Sequence, residues 1–209
     1  MLLGGGGILA NPKNADLPFQ IIDAKTQKPI RLLTWKGGNA HFTADSSRLL
    51  LAEWSGRCRW FKLPSGEDDG SWDLGLPPEG RTHWVGSISA DGSVLGYNGP
   101  AALKISGQAP AVLDGKTGQV KHSFAKDHFY TFAAVVSEDG RRAVVMRNLE
   151  GKGTSSYDVI DIATGANVGW CRIPSGQSLP TASLSTDGTS LTIFNPETET
   201  LHAFDVPKS

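Results

Sequence analysis

The feature of this sequence that most limits its fold is an internal repeat. Four segments share an apolar stretch, a polar turn containing aspartate and a second apolar stretch, with the aspartates at Asp45, Asp91, Asp139 and Asp187. The intervals between these aspartates are 46, 48 and 48 residues. Three of the turns are Asp-Gly, a dipeptide that tolerates the positive backbone angles of a tight hairpin. Each segment is therefore predicted to be a strand, a turn and an antiparallel strand.

A second motif recurs within the same period, a strand that ends in a Thr-Gly or Ser-Gly turn. It occurs in "CRWFKLPSG", "AVLDGKTG" and "YDVIDIATG", and a short apolar stretch follows each copy. Every repeat thus holds about four strands, and no window of a dozen residues shows helical periodicity. In the third copy, Tyr157 and Val159 are predicted to face one side of a sheet while Asp158 and Ile160 face the other. The sequence predicts an all-β protein.

These residues resemble the WD40-like family of β-propeller repeats, in which a Ser-x-Asp-Gly turn joins the first two strands of a blade and an Asp-x-x-Thr-Gly turn joins the last two. The resemblance covers about residues 19–207. No repeat carries the family's Trp-Asp ending or its Gly-His pair. The resemblance implies blades of four antiparallel strands arranged around an axis.

We predict a single domain, residues 1–209, whose first and last blades are each incomplete. The leading residues supply strands b, c and d of a blade and the trailing residues supply a, b and c, so the two ends do not complete one blade. We expect an incomplete propeller of about four to five blades whose exposed end blades favour association. The alternative is a closed four-bladed ring in which "KPIRLL" completes the last blade. The approximate blades are 1–36 (partial), 37–80, 81–126, 127–176 and 177–209 (partial).

Charge, hydropathy and cysteine content limit the partners and the compartment. The formal net charge is -1, so no overall basic field recruits nucleic acid. No apolar run approaches the roughly 18 residues of a membrane span. Cys58 and Cys171 belong to blades two apart and are expected to be free thiols, which fits a reducing compartment. We therefore expect a cytoplasmic protein with no nucleic-acid or membrane partner.

Candidate binding residues lie in the connections between strands d and a and between strands b and c, which share one face of such a propeller. Tryptophan, tyrosine and arginine are common in binding hot spots. The alternative is that some of these aromatic side chains only seal the ends of the blades against one another. The predicted partner-binding residues are Trp35, Arg57, Trp84, His128, Tyr130 and Arg147.

The sequence offers no catalytic constellation. It has no nucleophile elbow or Walker loop, and "GGGG" at residues 4–7 lacks the Lys-Ser/Thr ending of a phosphate loop. Its histidines show no pairing typical of a zinc site. Turn chemistry explains the repeated aspartates, whose side chains bond to their own backbone. We therefore expect no catalytic, metal-binding or cofactor-binding residue and no cofactor.

The leading hypothesis is a non-catalytic scaffold that binds protein partners through WD40-like blades. The first alternative is the non-catalytic propeller portion of a larger enzyme, a hydrolase or a dehydrogenase, because one fold hosts many activities. The second is a fragment without independent function.

Overall fold

The computed structural model describes residues 17–23, 25–35, 38–74, 84–98, 110–124, 132–149, 154–174 and 181–207. These residues form seventeen strands in five sheets and no helix, so the described part of the chain holds no helix that could cross a membrane. Strands follow chain order within every sheet. The chain divides into two compact units, residues 1–85 with 116–118 and residues 86–115 with 119–209.

The first unit contains sheets 1 and 2. Sheet 1 is β1 (Leu17–Ile22) and β2 (Pro29–Trp35), and sheet 2 is β3 (Gly38–Phe42), β4 (Arg48–Glu53), β5 (Arg57–Lys62) and β6 (Asp68–Asp73). Ile21 and Leu33 of sheet 1 pack against Leu49, Leu51 and Phe61 of sheet 2. The two strands of sheet 1 correspond to the predicted strands c and d of a blade.

The second unit contains sheets 3, 4 and 5, apart from the first two residues of β7. Sheet 3 is β7 (Trp84–Ile88), β8 (Val94–Asn98), β9 (Ala111–Asp114) and β10 (Val120–Ser123). Sheet 4 is β11 (Phe132–Val136), β12 (Arg142–Leu149), β13 (Thr154–Asp161) and β14 (Asn167–Pro174). Sheet 5 is β15 (Thr181–Leu184), β16 (Ser190–Asn195) and β17 (Thr200–Asp205).

Strand β13 shows how sheet 4 is buried on both faces. Tyr157 and Val159 belong to the apolar core that sheet 4 shares with sheet 5. Ile160 belongs to the core that it shares with sheet 3. The predicted alternation along this strand is confirmed. Because both faces are covered, every residue from 155 to 160 is buried, including polar ones.

The repeated aspartates stabilise the turns between the first two strands of sheets 2, 3, 4 and 5. The Ser137 hydroxyl donates to Asp139 Oδ1 at 2.6 Å, and the same carboxylate oxygen accepts the Arg141 N–H at 3.0 Å. Ser137 Oγ in turn accepts the Arg142 N–H at 3.0 Å. The same cluster recurs at the other three aspartates. The predicted turn role of these aspartates is confirmed.

The turn between β13 and β14 has its own aspartate cap. Asp161 Oδ1 accepts hydrogen bonds from the Thr164 N–H at 2.9 Å and from its hydroxyl at 2.8 Å. Gly165 follows at φ 72°. A Cβ atom on Gly165 would lie 2.8 Å from the His122 ring of β10. Glycine is therefore required here both by the backbone angle and by the close approach of sheet 3.

The predictions of fold class are confirmed: the chain is all-β, and sheets 2, 3 and 4 each contain four strands in chain order. The predicted blade limits, the single domain and the choice between an incomplete and a closed propeller stay predictions. The leading strand b proposed for "LLGGGGILANP" lies outside the described residues.

Candidate partner-binding site

Four of the six predicted partner-binding residues lie in described strands, towards the end of the sheet that is opposite the aspartate turns. Arg57 begins β5 and its side chain is exposed. The side chains of the other three lie outside the described part of the structure: Trp35 in β2, Trp84 in β7 and Arg147 in β12. His128 and Tyr130 lie outside the described residues altogether. The structure therefore gives a side-chain environment to Arg57 alone among the six.

Arg57 lies two residues before Arg59, which forms an ion pair with the buried Glu53. Arg59 Nη2 is 3.2 Å from Glu53 Oε1, and Glu53 is buried at the end of β4. The Ser55 hydroxyl donates to the second carboxylate oxygen of Glu53 at 3.4 Å. Burial, with a smaller contribution from the Glu53 charge, raises the pKa of the Cys58 thiol far above its usual range. The Glu53 carboxylate is thus paired with Arg59 and the Cys58 thiol stays protonated, so neither group is set up for reactive chemistry.

A second cluster, in the second unit, was missed by the sequence analysis. Trp170 lies in β14, the edge strand of sheet 4, and its side chain is 65% exposed. The guanidinium carbon of Arg172 lies 5.2 Å from the centre of a Trp170 ring, within cation–π range. Cys171 and Ile173, which alternate with them, are buried. The sequence could have revealed this pair, because side chains alternate along a strand. If Cys171 and Ile173 point into the core, Trp170 and Arg172 must point to the opposite face.

The Ser87 side chain joins sheets 3 and 4. Its hydroxyl donates to the Ala134 carbonyl at 3.2 Å and accepts the Val136 N–H at 2.9 Å. Gly96 of β8 lies against the backbone of Ala134 in β11. Asn98, two residues further along β8, has a buried side chain with no hydrogen-bond partner among the described residues. Sheets 3 and 4 are therefore held together by direct hydrogen bonds as well as by their apolar core.

Several titratable groups in the described residues have structural roles. Hydrogen bonds from Thr189 and Ser185 lower the pKa of Asp187 to about 2. Burial raises the pKa of the Cys171 thiol to about 11 and that of Tyr157 beyond its usual range. Within the ranges that the structure covers, no three His, Cys, Asp or Glu side chains group as metal ligands. The exposed Trp170–Arg172 pair and Arg57 are therefore the strongest candidates for contacts with other molecules.

Comparison by sequence finds no relative: no family model matches the chain, and no curated protein matches it significantly. Comparison by structure does find similar proteins. Hydrazine synthase of Kuenenia stuttgartiensis matches with a TM-score of 0.55 and 20% identity, covering 88% of this chain and 50% of that chain.

Two further solved structures match over most of this chain. The complex of KlAtg21 with the coiled coil of AgAtg16 gives a TM-score of 0.63 and 16% identity, covering 91% of this chain and 59% of that one. The β-propeller domain of Cps50 (Swd1) from Myceliophteria thermophila gives a TM-score of 0.62 and 18% identity, covering 95% and 64%. The chain therefore has a fold of the β-propeller type, and it spans one half to two thirds of the length of these proteins.

Proposed function

We propose that this chain is a non-catalytic scaffold that binds other proteins through blades of the WD40-like type. The observation that carries the proposal is the exposed Trp170 stacked with Arg172 on the edge strand of sheet 4. Tryptophan and arginine are the residues most enriched in binding hot spots, because they offer large contact areas that can be fully desolvated.

The free energy available at Trp170 is large enough to matter for binding. A tryptophan side chain can bury roughly 200 Å² or more. Covering the exposed 65% of Trp170 would then contribute about 3 kcal/mol at roughly 25 cal/mol per Å². The side chain is also held in place, because Arg172 stacks on it and the neighbouring Cys171 is buried in the core. Little conformational entropy would be lost when a partner covers it.

The non-catalytic part of the proposal is supported by the structural roles of the described carboxylates and thiols. Glu53 is paired with Arg59, Asp187 holds a turn, and Cys58 and Cys171 are buried free thiols with raised pKa values. The structure of KlAtg21 with a coiled coil supports a protein as the partner. The cytoplasmic location and the lack of nucleic-acid and membrane partners stay predictions.

A second candidate function is the propeller portion of a larger enzyme. The similarity to hydrazine synthase favours it, since that protein is named as an enzyme and this chain covers 50% of its length. In that case Trp170 and Arg172 would contact another domain of the same enzyme instead of a separate protein. Steady association of the captured partner with one enzymatic activity would favour this candidate.

Site-specific photocrosslinking from position 170, in cells of the source organism, tests the proposal. A photoreactive phenylalanine analogue at Trp170 should give a discrete crosslinked protein, and Trp170→Ala should weaken capture of that protein at least tenfold. Val120→Ala is the matched control, because Val120 is also an exposed apolar residue near a sheet edge. Absence of any discrete crosslink, or equal loss with Val120→Ala, would contradict the assigned surface.

The predicted binding face is tested separately at Arg57. Arg57→Ala should reduce binding of the captured protein if that face takes part. Lys62→Ala is the control, because Lys62 is an exposed cation at the other end of the same strand, β5. If both substitutions have the same effect, only overall charge matters and Arg57 has no specific role.

A further inference from the structure

One face of sheet 5 carries exposed side chains. We name this the tail face, and it carries Thr192, Phe194, Leu201 and Ala203. Phe194 pairs directly with Leu201 across β16 and β17, and these side chains are 42% and 68% exposed. Leu201 lies on the edge strand β17, and an exposed apolar pair that reaches a sheet edge is a site for association.

The repeat shows what normally covers such a face. Met146 and Tyr157 pair across β12 and β13 just as Phe194 and Leu201 pair across β16 and β17. Both are buried, in the core between sheets 4 and 5. The tail face therefore has the position and the apolar character of a surface that packs against the next sheet of the repeat.

One face of sheet 1 carries exposed side chains as well. We name this the head face, and it carries Gln20, Ile22 and Leu32. Ile22 precedes the turn aspartate Asp23 just as Ile160 precedes Asp161. Ile160 is buried against sheet 3, the sheet before it, whereas Ile22 is 44% exposed. The head face is thus a surface that elsewhere in the repeat packs against the preceding sheet.

Charge also matches the two faces to each other. Residues 181–207 carry four acidic side chains and no lysine or arginine, whereas residues 17–35 carry three basic side chains and one acidic side chain. Lys25 and Lys28 of sheet 1 and Glu199 and Asp205 of sheet 5 are all exposed. Attraction between the opposite charges favours sheet 1 against sheet 5, and repulsion disfavours sheet 5 against itself.

We propose that the chain associates head to tail with a second copy of itself, the head face of one copy packing on the tail face of the other. The contact repeats the sheet-to-sheet packing seen between sheets 4 and 5. It is heterologous, so a dimer keeps one free tail face on the first copy and one free head face on the second. It does not depend on the Trp170 surface.

Complementary variants of the full chain test this proposal. Ile22→Asp should disable the head face and Leu201→Asp the tail face, and each variant alone should sediment as a monomer. An equimolar mixture should form a dimer, because each variant supplies the face that the other lacks. Wild-type protein should show a mass that rises with concentration and that falls with added salt. Val120→Asp, at another exposed apolar residue, should behave as wild type.

The alternative arrangements give different results. If Ile22→Asp alone still dimerises, the contact is tail to tail and the proposal is wrong. If wild-type protein stays monomeric at every concentration, another protein or further sheets cover these faces, and the proposal is again wrong. Failure of the mixture to dimerise would overturn it too, and dimer formation would show that both variants are folded.

Discussion

Replacing the buried Arg142 by methionine should separate the hydrogen-bonding and packing contributions at the contact between sheets 4 and 5. Arg142 begins β12 and is only 4% exposed. Its Nη1 donates to the Gly188 carbonyl at 3.1 Å and its Nη2 to the Pro207 carbonyl at 2.7 Å. Methionine keeps most of the apolar stem and removes both donors. The Gly188 and Pro207 carbonyls, next to the strands of sheet 5, then lose a charged partner.

The size of the effect follows from these contacts. A hydrogen bond to a charged group contributes about 1.5–3 kcal/mol, so two give roughly 3–6 kcal/mol. Relief of the cost of burying the guanidinium offsets part of this, and we expect a net loss of about 3 kcal/mol. Arg48 occupies the same repeat position in sheet 2 but pairs with a partly exposed Asp69 at 2.7 Å, so Arg48→Met should cost about 1 kcal/mol. Arg141 is 83% exposed, and Arg141→Met should cost less than about 0.5 kcal/mol.

Urea unfolding followed by circular dichroism measures this series. The order of destabilisation should be Arg142→Met, then Arg48→Met, then Arg141→Met, with similar slopes against denaturant. For a chain of this size, 3 kcal/mol corresponds to a fall in melting temperature of roughly 6–12 °C. A loss below about 1 kcal/mol for Arg142→Met, or equal losses for Arg142→Met and Arg48→Met, would refute the argument that burial sets the contribution.

Three further predictions concern other described sites. Hydrogen bonds hold the pKa of Asp187 at about 2, below its unfolded value, so its stabilising contribution is present at neutral pH and is lost as the pH falls towards 2. The stability difference between wild type and Asp187→Asn should therefore shrink between pH 5 and pH 2 in urea titrations. Cys58 and Cys171 should both resist Ellman's reagent at pH 8 until denaturant is added, and rapid labelling of the folded protein would contradict their burial. Gly96→Ala should destabilise the protein by about 3 kcal/mol, because the new Cβ would lie 1.9 Å from the Ala134 carbonyl oxygen; an unchanged melting temperature would show that this contact relaxes freely.

The repeat in the sequence was sufficient to predict the strands and their turns, because both depend on local chemistry. An aspartate that accepts the N–H two residues later, as Asp139 does from Arg141, needs no distant partner. The alternation of Tyr157 and Ile160 between two cores was likewise predictable, since strand geometry alone sets it. The all-β fold therefore followed from short-range rules.

The surfaces were less predictable, because burial depends on which sheet covers which face. Arg48 and Arg142 hold the same position in the repeat, yet only Arg142 is fully buried, since sheet 5 lies over it. Trp170 was missed as a binding residue because its exposure also depends on its sheet. Its neighbour Cys171 is buried, whereas Trp170 points to the exposed side of the edge strand β14. A repeat gives equivalent positions, but the composition of each neighbouring sheet decides their environment.

Pairing in chain order has a consequence for how such a chain can lengthen. No described sheet joins strands that are distant in sequence, since each strand bonds only to the one before or after it. Duplicating one period of about 48 residues would insert a whole sheet without parting any existing pair of strands. Insertion or deletion of whole repeats therefore leaves the remaining strand pairs intact. A deletion that ends within a repeat would instead leave a strand without its partner.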